Sequence, residues 1–301
     1  MQLALFDENN VLENTFRKNL ETLDLDSARE TLKLLDTVGD PQGTAPDKIA
    51  ALRTLQAEPA LTDRNNRKAL GTLYLNLDSL PYLAPLHNDL HALKTGFLRT
   101  IAGLISTDDH GYICPGLHAA EVLCRTEQYD RTVDTALSAI RRHGEQAFLR
   151  QLIGWAWHKL GNALSSRENL GLALFFNALE CRECFLPPGD FTELLQDLKH
   201  QHTNPDMARI FLPQELWAEE TIGIQTKEAY LLCLREQIDN TPEPSGLGTA
   251  LRGLLFNRLL YLAEALRRTR ADHNEMVRLR GRMKKLDPDR FKEYIEIITG
   301  R

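Results

Sequence analysis

Two cysteines separated by two residues, Cys181 and Cys184, form the first arrangement in this sequence that could do chemistry. A C-x2-C pair can supply two of the four ligands of a zinc ion, and His200 and His202 follow it. Common zinc modules place more residues between their histidines, and on a helix these two would point about 200° apart. The pair also follows an apolar helix, whereas a redox dithiol opens a helix beside a strand. We therefore expect packing cysteines and no metal, with Cys181 and Cys184 as the residues that a metal would use.

A second cluster consists of Asp108, His110 and Cys114, within the stretch STDDHGYICPG. A Cys-His pair can act as nucleophile and base. Nothing nearby supplies an oxyanion site, and turn formation explains the Asp-Asp-His-Gly run more simply. The chain also has no GxxxxGK[ST], GxGxxG, HExxH or GxSxG motif. We expect no catalysis and no cofactor, and a helical enzyme with a site near these three residues stays an alternative.

Basic residues are concentrated near the C-terminal end. Residues 250–301 have a net charge of +6 and residues 1–249 a net charge of −12, within a total of −6. Such density can bind phosphates by releasing counterions, but Tyr261 and Phe291 are the only nearby aromatic residues that could stack on bases. Docking to an acidic protein surface is favoured, and a nucleic-acid-linked regulator is the other alternative. The basic patch comprises Arg267, Arg268, Arg270, Arg278, Arg280, Arg282, Lys284 and Lys285.

The elements that would position these residues are short amphipathic helices. Leucine is abundant while valine and isoleucine are sparse, which favours helix over sheet. Asp26 or Ser27 is expected to cap the second helix, Pro115 to occupy the first turn of another, and Ser165 or Ser166 to cap the helix after Gly161. Apolar residues at helical spacing form one stripe over Val11, Leu12, Phe16, Leu20 and Leu23, and another over Ala28, Leu32 and Leu35.

Pairs of such helices recur, and the sequence at these positions resembles the tetratricopeptide repeat family. The signature spacings fall on Trp157, Leu160, Gly161, Leu164 and Ala173. A preceding unit matches at Leu117, Ala120, Cys124, Val133, Leu137 and Ile140, with Tyr129-Asp130 at the joint, and LDPD at 286–289 is similar to the usual unit ending. In such units, small residues such as Gly161 and Ala173 are expected to let two helices approach closely.

The resemblance implies a concave groove lined by side chains of each unit's first helix. The groove residues would be Trp155, His158, Asn162, His118, Val122 and Arg125. Some family members hold a peptide C-terminus there with Lys and Asn, and His158 and Asn162 stand at those two positions. We expect Trp155, Trp217 and Arg125 to anchor a partner, because aromatic and Arg side chains offer large contact area.

These observations predict an all-α solenoid of stacked antiparallel helical hairpins, and the family resemblance implies that this α-solenoid is right-handed. The expected segments are N-terminal hairpins at 1–107, tetratricopeptide-like repeats at 108–239, a linker at 240–249 and a basic helical segment at 250–301. The expected function is non-catalytic binding of a peptide or protein, as adaptor, scaffold or assembly factor. Five irregularly spaced cysteines, no signal peptide and no membrane-spanning stretch predict a cytoplasmic protein.

Overall fold

A computed structural model describes residues 2–40, 42–242 and 246–300, with side chains from residue 8 onward. The chain divides into two compact units, Met1–Arg131 and Thr132–Arg301. Within the described residues the regular structure is helical except for two very short strands, so the all-α prediction is confirmed. The division falls inside one helix, α8 (Tyr129–His143), whereas the sequence placed its boundaries after residues 107, 239 and 249.

The first unit is built from helices and one small hairpin. Two 3-10 segments, Leu77–Ser79 and Pro81–Asp89, precede its sixth helix. The elements are α1 (Gln2–Glu21), α2 (Leu25–Val38), α3 (Ala45–Gln56), α4 (Pro59–Thr62), α5 (Arg67–Asn76), α6 (Leu90–Gly103), β1 (Tyr112–Cys114), β2 (Leu117–His118) and α7 (Ala119–Arg125).

The core of this unit forms where α1 packs against α2 and α6. Phe16, Leu20 and Leu23 are buried as their spacing predicts, and so are the inward residues of α2. Val11 differs, because its side chain is 62% exposed. The cap of α2 is Asp24, not Asp26 or Ser27. A carboxylate oxygen of Asp24 accepts a hydrogen bond from Ser27 N at 3.0 Å, which satisfies a free amide of the first turn.

The antiparallel hairpin of β1 and β2 replaces the expected helix start at Pro115. Pro115 and Gly116 lie between the strands, and Gly116 has φ +87°, a value that suits a turn glycine. Helix α7 begins only at Ala119, where the Nδ1 atom of His118 accepts from Ala120 N at 3.0 Å. The proline therefore shapes a turn before the helix and takes no part in its first turn.

In the described part of the second unit, all regular secondary structure is helical. A 3-10 turn at Glu183–Phe185 follows its third helix, counting α8 as the first. After α8, its helices are α9 (Ala147–Lys159), α10 (Ala163–Asn177), α11 (Asp190–Gln201), α12 (Pro205–Ala218), α13 (Glu228–Asp239), α14 (Thr249–Thr269), α15 (His273–Leu286) and α16 (Pro288–Gly300).

Helices α9 and α10 form a tight hairpin joined by three residues. A Cβ atom on Gly154 would lie 2.7 Å from Cγ of Leu170, so the close approach depends on this glycine. Ala173 is fully buried, as expected. Gly161 has a different role from the predicted one. It adopts φ +78° at the joint, with no atom near its hypothetical Cβ, so it makes the turn and does not mediate helix packing.

Helix α14 lies at the centre of this unit and packs against α10, α12, α13 and α15. It is buried on most of its circumference from Gly253 to Leu266. The segment predicted as a separate basic end at 250–301 therefore supplies the core of the second unit. Residues 243–245 of the predicted linker lie outside the described residues.

A polar cluster inside this core joins α12, α14 and α16. Arg290 is 2% exposed and donates hydrogen bonds to Gln214 Oε1 at 3.0 Å and to Asn257 Oδ1 at 2.8 Å. Its guanidinium carbon lies 4.5 Å from the ring centre of Phe211 and 4.3 Å from that of Phe256. Burial lowers the pKa of Arg290 to about 10, with nearby carboxylates opposing the shift.

Candidate partner-binding surface

An aromatic and cationic surface lies on one side of α9. It also includes Arg182, the residue just before the 3-10 turn at Glu183–Phe185. We define the aromatic surface by Phe148, Trp155, His158, Lys159 and Arg182. Phe148, Trp155 and His158 are partly exposed. The Lys159 ammonium stands 4.6 Å from the centre of the Trp155 ring, and the Arg182 guanidinium stands 4.3 Å from the centre of the Phe148 ring. Both contacts are cation–π pairs.

Helical spacing explains how these side chains meet. Phe148 and Trp155 are seven residues apart, and His158 and Lys159 follow Trp155 by three and four residues, which places all four on neighbouring faces of one helix. The rings of Trp155 and His158 are 5.7 Å apart. Buried Phe185 packs 6.4 Å from Trp155 with nearly perpendicular rings and closes the base of the surface.

Gln151 fixes the 3-10 segment to α9. The side chain is fully buried, its Nε2 donates to Arg182 O at 2.7 Å, and its Oε1 accepts from Arg182 N at 2.7 Å. One amide thus pairs with both backbone groups of a single residue. A satisfied buried pair of this kind holds Arg182 over Phe148 without ordering by a partner.

The charge of the aromatic surface is positive. Burial lowers the pKa of His158, and the charge of Lys159 lowers it further, which favours the neutral imidazole. The nearby carboxylate of Glu183 already has a cationic partner. Lys199 donates to it at 2.6 Å and is the main reason that the pKa of Glu183 lies below its usual range. Exposed Lys159 is therefore a cation that a partner would meet.

The other groove residues predicted from the family resemblance lie in different settings. Asn162 is exposed but caps α10, where its Oδ1 accepts from Ser165 N at 3.0 Å, the capping role predicted for Ser165 or Ser166. His118 and Val122 are buried at 2% and 0% exposure, so they offer no surface to a partner. Arg125 is exposed and forms an i,i+4 pair with Glu121 at 2.9 Å.

Of the three predicted anchors, Trp217 is 1% exposed and belongs to the core of the second unit. Its ring packs 5.9 Å from that of Tyr294. The sequence does not show whether a tryptophan is a core residue or a surface anchor. For Trp217, the packing of α12 against α14 and α16 shows that it is a core residue. The prediction for Trp217 is corrected accordingly.

The two cysteines of the C-x2-C pair have opposite environments. Cys181 is buried and its thiol donates to Asn177 O at 3.6 Å, whereas Cys184 is exposed. Burial raises the pKa of Cys181, which disfavours the thiolate that a metal would need. Among the residues that the structure describes, no group of three or more His, Cys, Asp or Glu side chains could hold a metal ion.

The Asp108, His110 and Cys114 cluster is not assembled as a nucleophile and base. Asp108 is exposed, and burial raises the pKa of the Cys114 thiol. Within the described ranges, no hydrogen bond joins Cys114 to His110, whose Nδ1 is buried without a partner. The neighbouring Asp109 instead forms an ion pair with Arg67, which is the main cause of its pKa near 2.

Two members of the predicted basic patch, Arg267 and Arg280, pair with a buried carboxylate. Glu264 on α14 is fully buried, and Arg267 Nε lies 2.9 Å from its Oε2. Tyr294 donates to Glu264 Oε1 at 2.7 Å and accepts from Arg280 Nε at 2.9 Å. Both arginines compensate the charge of a buried carboxylate, and Arg280 and Tyr294 also tie α15 and α16 to α14, so a phosphate would compete with Glu264 for these two cations.

The remaining members of the patch are more accessible. Arg268 donates to Ile224 O at 3.3 Å, and Arg278 is 3.9 Å from Glu275 with a side chain 68% exposed. Arg282 is partly exposed, and Arg270, Lys284 and Lys285 are exposed. The patch that the nucleic-acid alternative requires is thus smaller than the sequence indicates.

The sequence predicted two of the five residues of the aromatic surface, Trp155 and His158. Phe148 and Lys159 could have been found from their i,i+7 and i,i+4 spacing to Trp155. Arg182 could not, because its placement depends on a contact across 31 residues with Gln151.

Among the described residues, no helix has an apolar stretch of the length that a bilayer-spanning helix requires. Comparison of the whole chain with protein-family models, curated proteins and solved structures found no match. The functional argument for this chain therefore depends on its own residues.

Proposed function

We propose that this chain is a non-catalytic interaction protein that binds a peptide or protein partner at the aromatic surface of α9. The observation that carries the proposal is Trp155, a partly exposed tryptophan with a cation over its ring on a well-packed helix. Trp, Tyr and Arg dominate the binding energy of protein interfaces because they bury large area with few rotatable bonds.

The partner would present an apolar or aromatic anchor flanked by acidic residues. The partly exposed rings of Trp155 and Phe148 offer apolar area to the anchor, while Lys159 offers positive charge beside Trp155. The neutral His158 can donate or accept a hydrogen bond at the rim. The Gln151 pair supports this role, because a surface ordered before binding loses little conformational entropy on binding.

The proposed architecture is a tetratricopeptide-like, right-handed stack of helical hairpins. Support comes from the α9–α10 hairpin, with its short joint at Gly161 and its close approach at Gly154.

A cytoplasmic location belongs to the same proposal. The five cysteines, all within the described residues, form no disulfide, which supports it because oxidising compartments favour disulfides.

The experiment compares partners captured from extract of the source organism by the wild-type chain and by variants. The test variant carries Trp155→Ala and His158→Ala, and the matched control carries Tyr112→Ala, an aromatic side chain that is 61% exposed in the first unit. Loss of a hot-spot tryptophan costs about 2 kcal/mol or more, which lowers affinity roughly thirtyfold. We expect the double variant to lose its partner and the control to retain it.

An unchanged set of partners with the double variant would refute the assignment of the surface. Circular dichroism of each variant establishes that lost binding does not come from lost folding. A partner whose capture disappears with Lys284→Ala, Lys285→Ala at moderate salt, and not with the Trp155 variant, would favour the nucleic-acid alternative.

A further inference from the structure

Helix α15 has one buried side and one exposed side along its length. Its buried side consists of Met276, Leu279, Met283 and Leu286. On the other side, exposed positions recur at intervals of three, four and seven residues, which places them on one face of the helix. We define the basic face by Asn274, Val277, Arg278, Gly281, Lys284 and Lys285.

The cations on and beside the basic face are not compensated by carboxylates. Arg278 lies 3.9 Å from Glu275, but that carboxylate already accepts hydrogen bonds from Arg235 at 3.1 and 2.9 Å. Half-exposed Arg282 and exposed Arg270 border the face. Among the described residues, no ion pair or hydrogen bond is formed by the side chains of Arg270, Arg282, Lys284 and Lys285. The face therefore offers positive charge to a partner.

A glycine lies at the centre of the basic face. Glycine inside a helix costs about 1 kcal/mol relative to alanine. Gly154 has a packing reason within this unit, whereas a Cβ on Gly281 would meet no atom within 4 Å. Packing inside the chain therefore does not require Gly281. Its missing side chain leaves the helix backbone open to close approach by a partner.

The side chains next to the cations do not favour a protein partner. Val277, which is 53% exposed, is the one large apolar residue of the basic face, and the face has no aromatic residue. Protein interfaces depend on buried aromatic anchors and are depleted in lysine. The sequence favoured an acidic protein surface for this region. The structure leaves cations without an anchor, which suits phosphate groups better.

The nearby aromatic residues do not favour single-stranded nucleic acid. Tyr261 is fully buried, and Phe291 is half-buried and packs against the core of the unit. Proteins that bind single strands stack the bases on accessible aromatic side chains. A duplex needs no such stacking, because its phosphates face outward.

The arrangement of the face matches a groove between two phosphate strands. Arg278 and Lys284 lie three residues before and after Gly281, hence about 60° to either side of it. An α-helix is about 10–12 Å across, and the major groove of B-form DNA is about 12 Å wide. The major groove of duplex RNA is too narrow for side chains to read. Duplex DNA therefore fits the face better than duplex RNA.

We propose that the basic face of α15 binds duplex DNA. Gly281 faces the major groove, and the cations on its two flanks contact phosphates of the two strands. Such contacts fix the position of the helix without reading the bases, so binding is not sequence-specific. This second binding activity does not depend on the proposed function of the aromatic surface.

The test is fluorescence anisotropy of the full chain with a labelled, mixed-sequence DNA duplex of about 20 base pairs, two helical turns. Five cations lie on or beside the face, so the logarithm of affinity should fall with the logarithm of salt concentration with a slope of about −4. Lys284→Ala, Lys285→Ala should weaken binding at least tenfold and reduce the magnitude of that slope by about 2.

The matched control is Arg141→Ala, Arg142→Ala. It removes the same charge from another adjacent, exposed pair in the last turn of a helix, here α8, and should leave binding unchanged. The Trp155→Ala, His158→Ala variant should also bind DNA as wild type does, which separates this result from the test of α9. Circular dichroism checks the fold of every variant.

A further variant keeps every charge. Gly281→Leu fills the centre of the face at an exposed position where the chain leaves room. The added side chain separates the cations from the phosphates, so binding should weaken about tenfold or more. Binding of Gly281→Leu at wild-type strength would refute the placement of this face in the groove.

Several results would overturn the proposal. One is no binding of the duplex by about 100 μM wild-type protein at about 50 mM salt, a condition that strengthens phosphate contacts. Others are equally tight binding of a single strand or an RNA duplex of the same sequence, or equal competition by polyglutamate. Equal loss in the Arg141, Arg142 control would do the same, because it would show a general effect of net charge.

Discussion

Replacing Asn257 with alanine tests how the central helix of the second unit is held. Asn257 is fully buried on α14, and its Nδ2 donates to Ile210 O at 2.9 Å while its Oδ1 accepts from Arg290 at 2.8 Å. Asn257→Ala leaves a buried carbonyl and a buried guanidinium each without one partner, in a place where water does not reach.

The expected cost follows from these two bonds. Ile210 lies inside α12, so its carbonyl loses an additional bond, at about 0.5–1.5 kcal/mol, and loss of a hydrogen bond to a charged group costs about 1.5–3 kcal/mol. Arg290 keeps its bond to Gln214 and its contacts with two rings, which limits the second value. We expect the free energy of unfolding of the second unit to fall by about 2–4 kcal/mol.

Urea denaturation followed by tryptophan fluorescence measures this loss directly. All three tryptophans of the chain, Trp155, Trp157 and Trp217, lie in the second unit, so the signal does not report on the first. Asn274→Ala, at an exposed position on α15, is the control and should stay within about 0.5 kcal/mol of wild type. A loss below about 1 kcal/mol in Asn257→Ala would refute the role given to the buried cluster.

Three further changes have defined outcomes. Gly96→Ala would push a Cβ into a backbone oxygen of α1, and we expect circular dichroism melts to show the first unit destabilised by about 1–3 kcal/mol. Tyr294→Phe removes the 2.7 Å hydrogen bond to Glu264 and should cost about 1–3 kcal/mol by fluorescence-detected urea unfolding. Asp109→Asn removes the partner of Arg67. Because the folded pKa of Asp109 is about 2, below its unfolded value, its contribution is present above pH 4 and lost as pH falls toward 2. The melting difference from wild type should therefore shrink over that range, and a difference independent of pH would contradict this assignment.

The sequence predicted the helical nature of the chain because local spacing determines it. The stripes through Phe16, Leu20 and Leu32 are buried as their three- and four-residue spacing requires. Caps were less predictable, since Asp24 lies only a few residues from Ser27 and either can accept the same first-turn amides. The choice depends on where the chain turns, which no single residue specifies.

The environments of polar and aromatic residues were the least predictable from sequence. Arg267 and Arg280 have the same basic character as their neighbours, but both pair with the buried carboxylate of Glu264. Trp155 and Trp217 are equally bulky, and only the position of each helix in the unit leaves the first accessible. Contacts between distant segments decide such cases, and they are not encoded in local spacing.

Site-specific photo-crosslinking tests the central claim, partner binding at α9, most directly. A photoreactive phenylalanine analogue would be placed at position 158 on the aromatic surface, and in a separate chain at position 232, where Leu232 is 54% exposed on α13. The account predicts that irradiation in cells of the source organism joins one partner to position 158, that the adduct is lost when Trp155→Ala is added, and that position 232 gives none. Equal crosslinking at both positions, or an adduct at 158 that persists without Trp155, would contradict it.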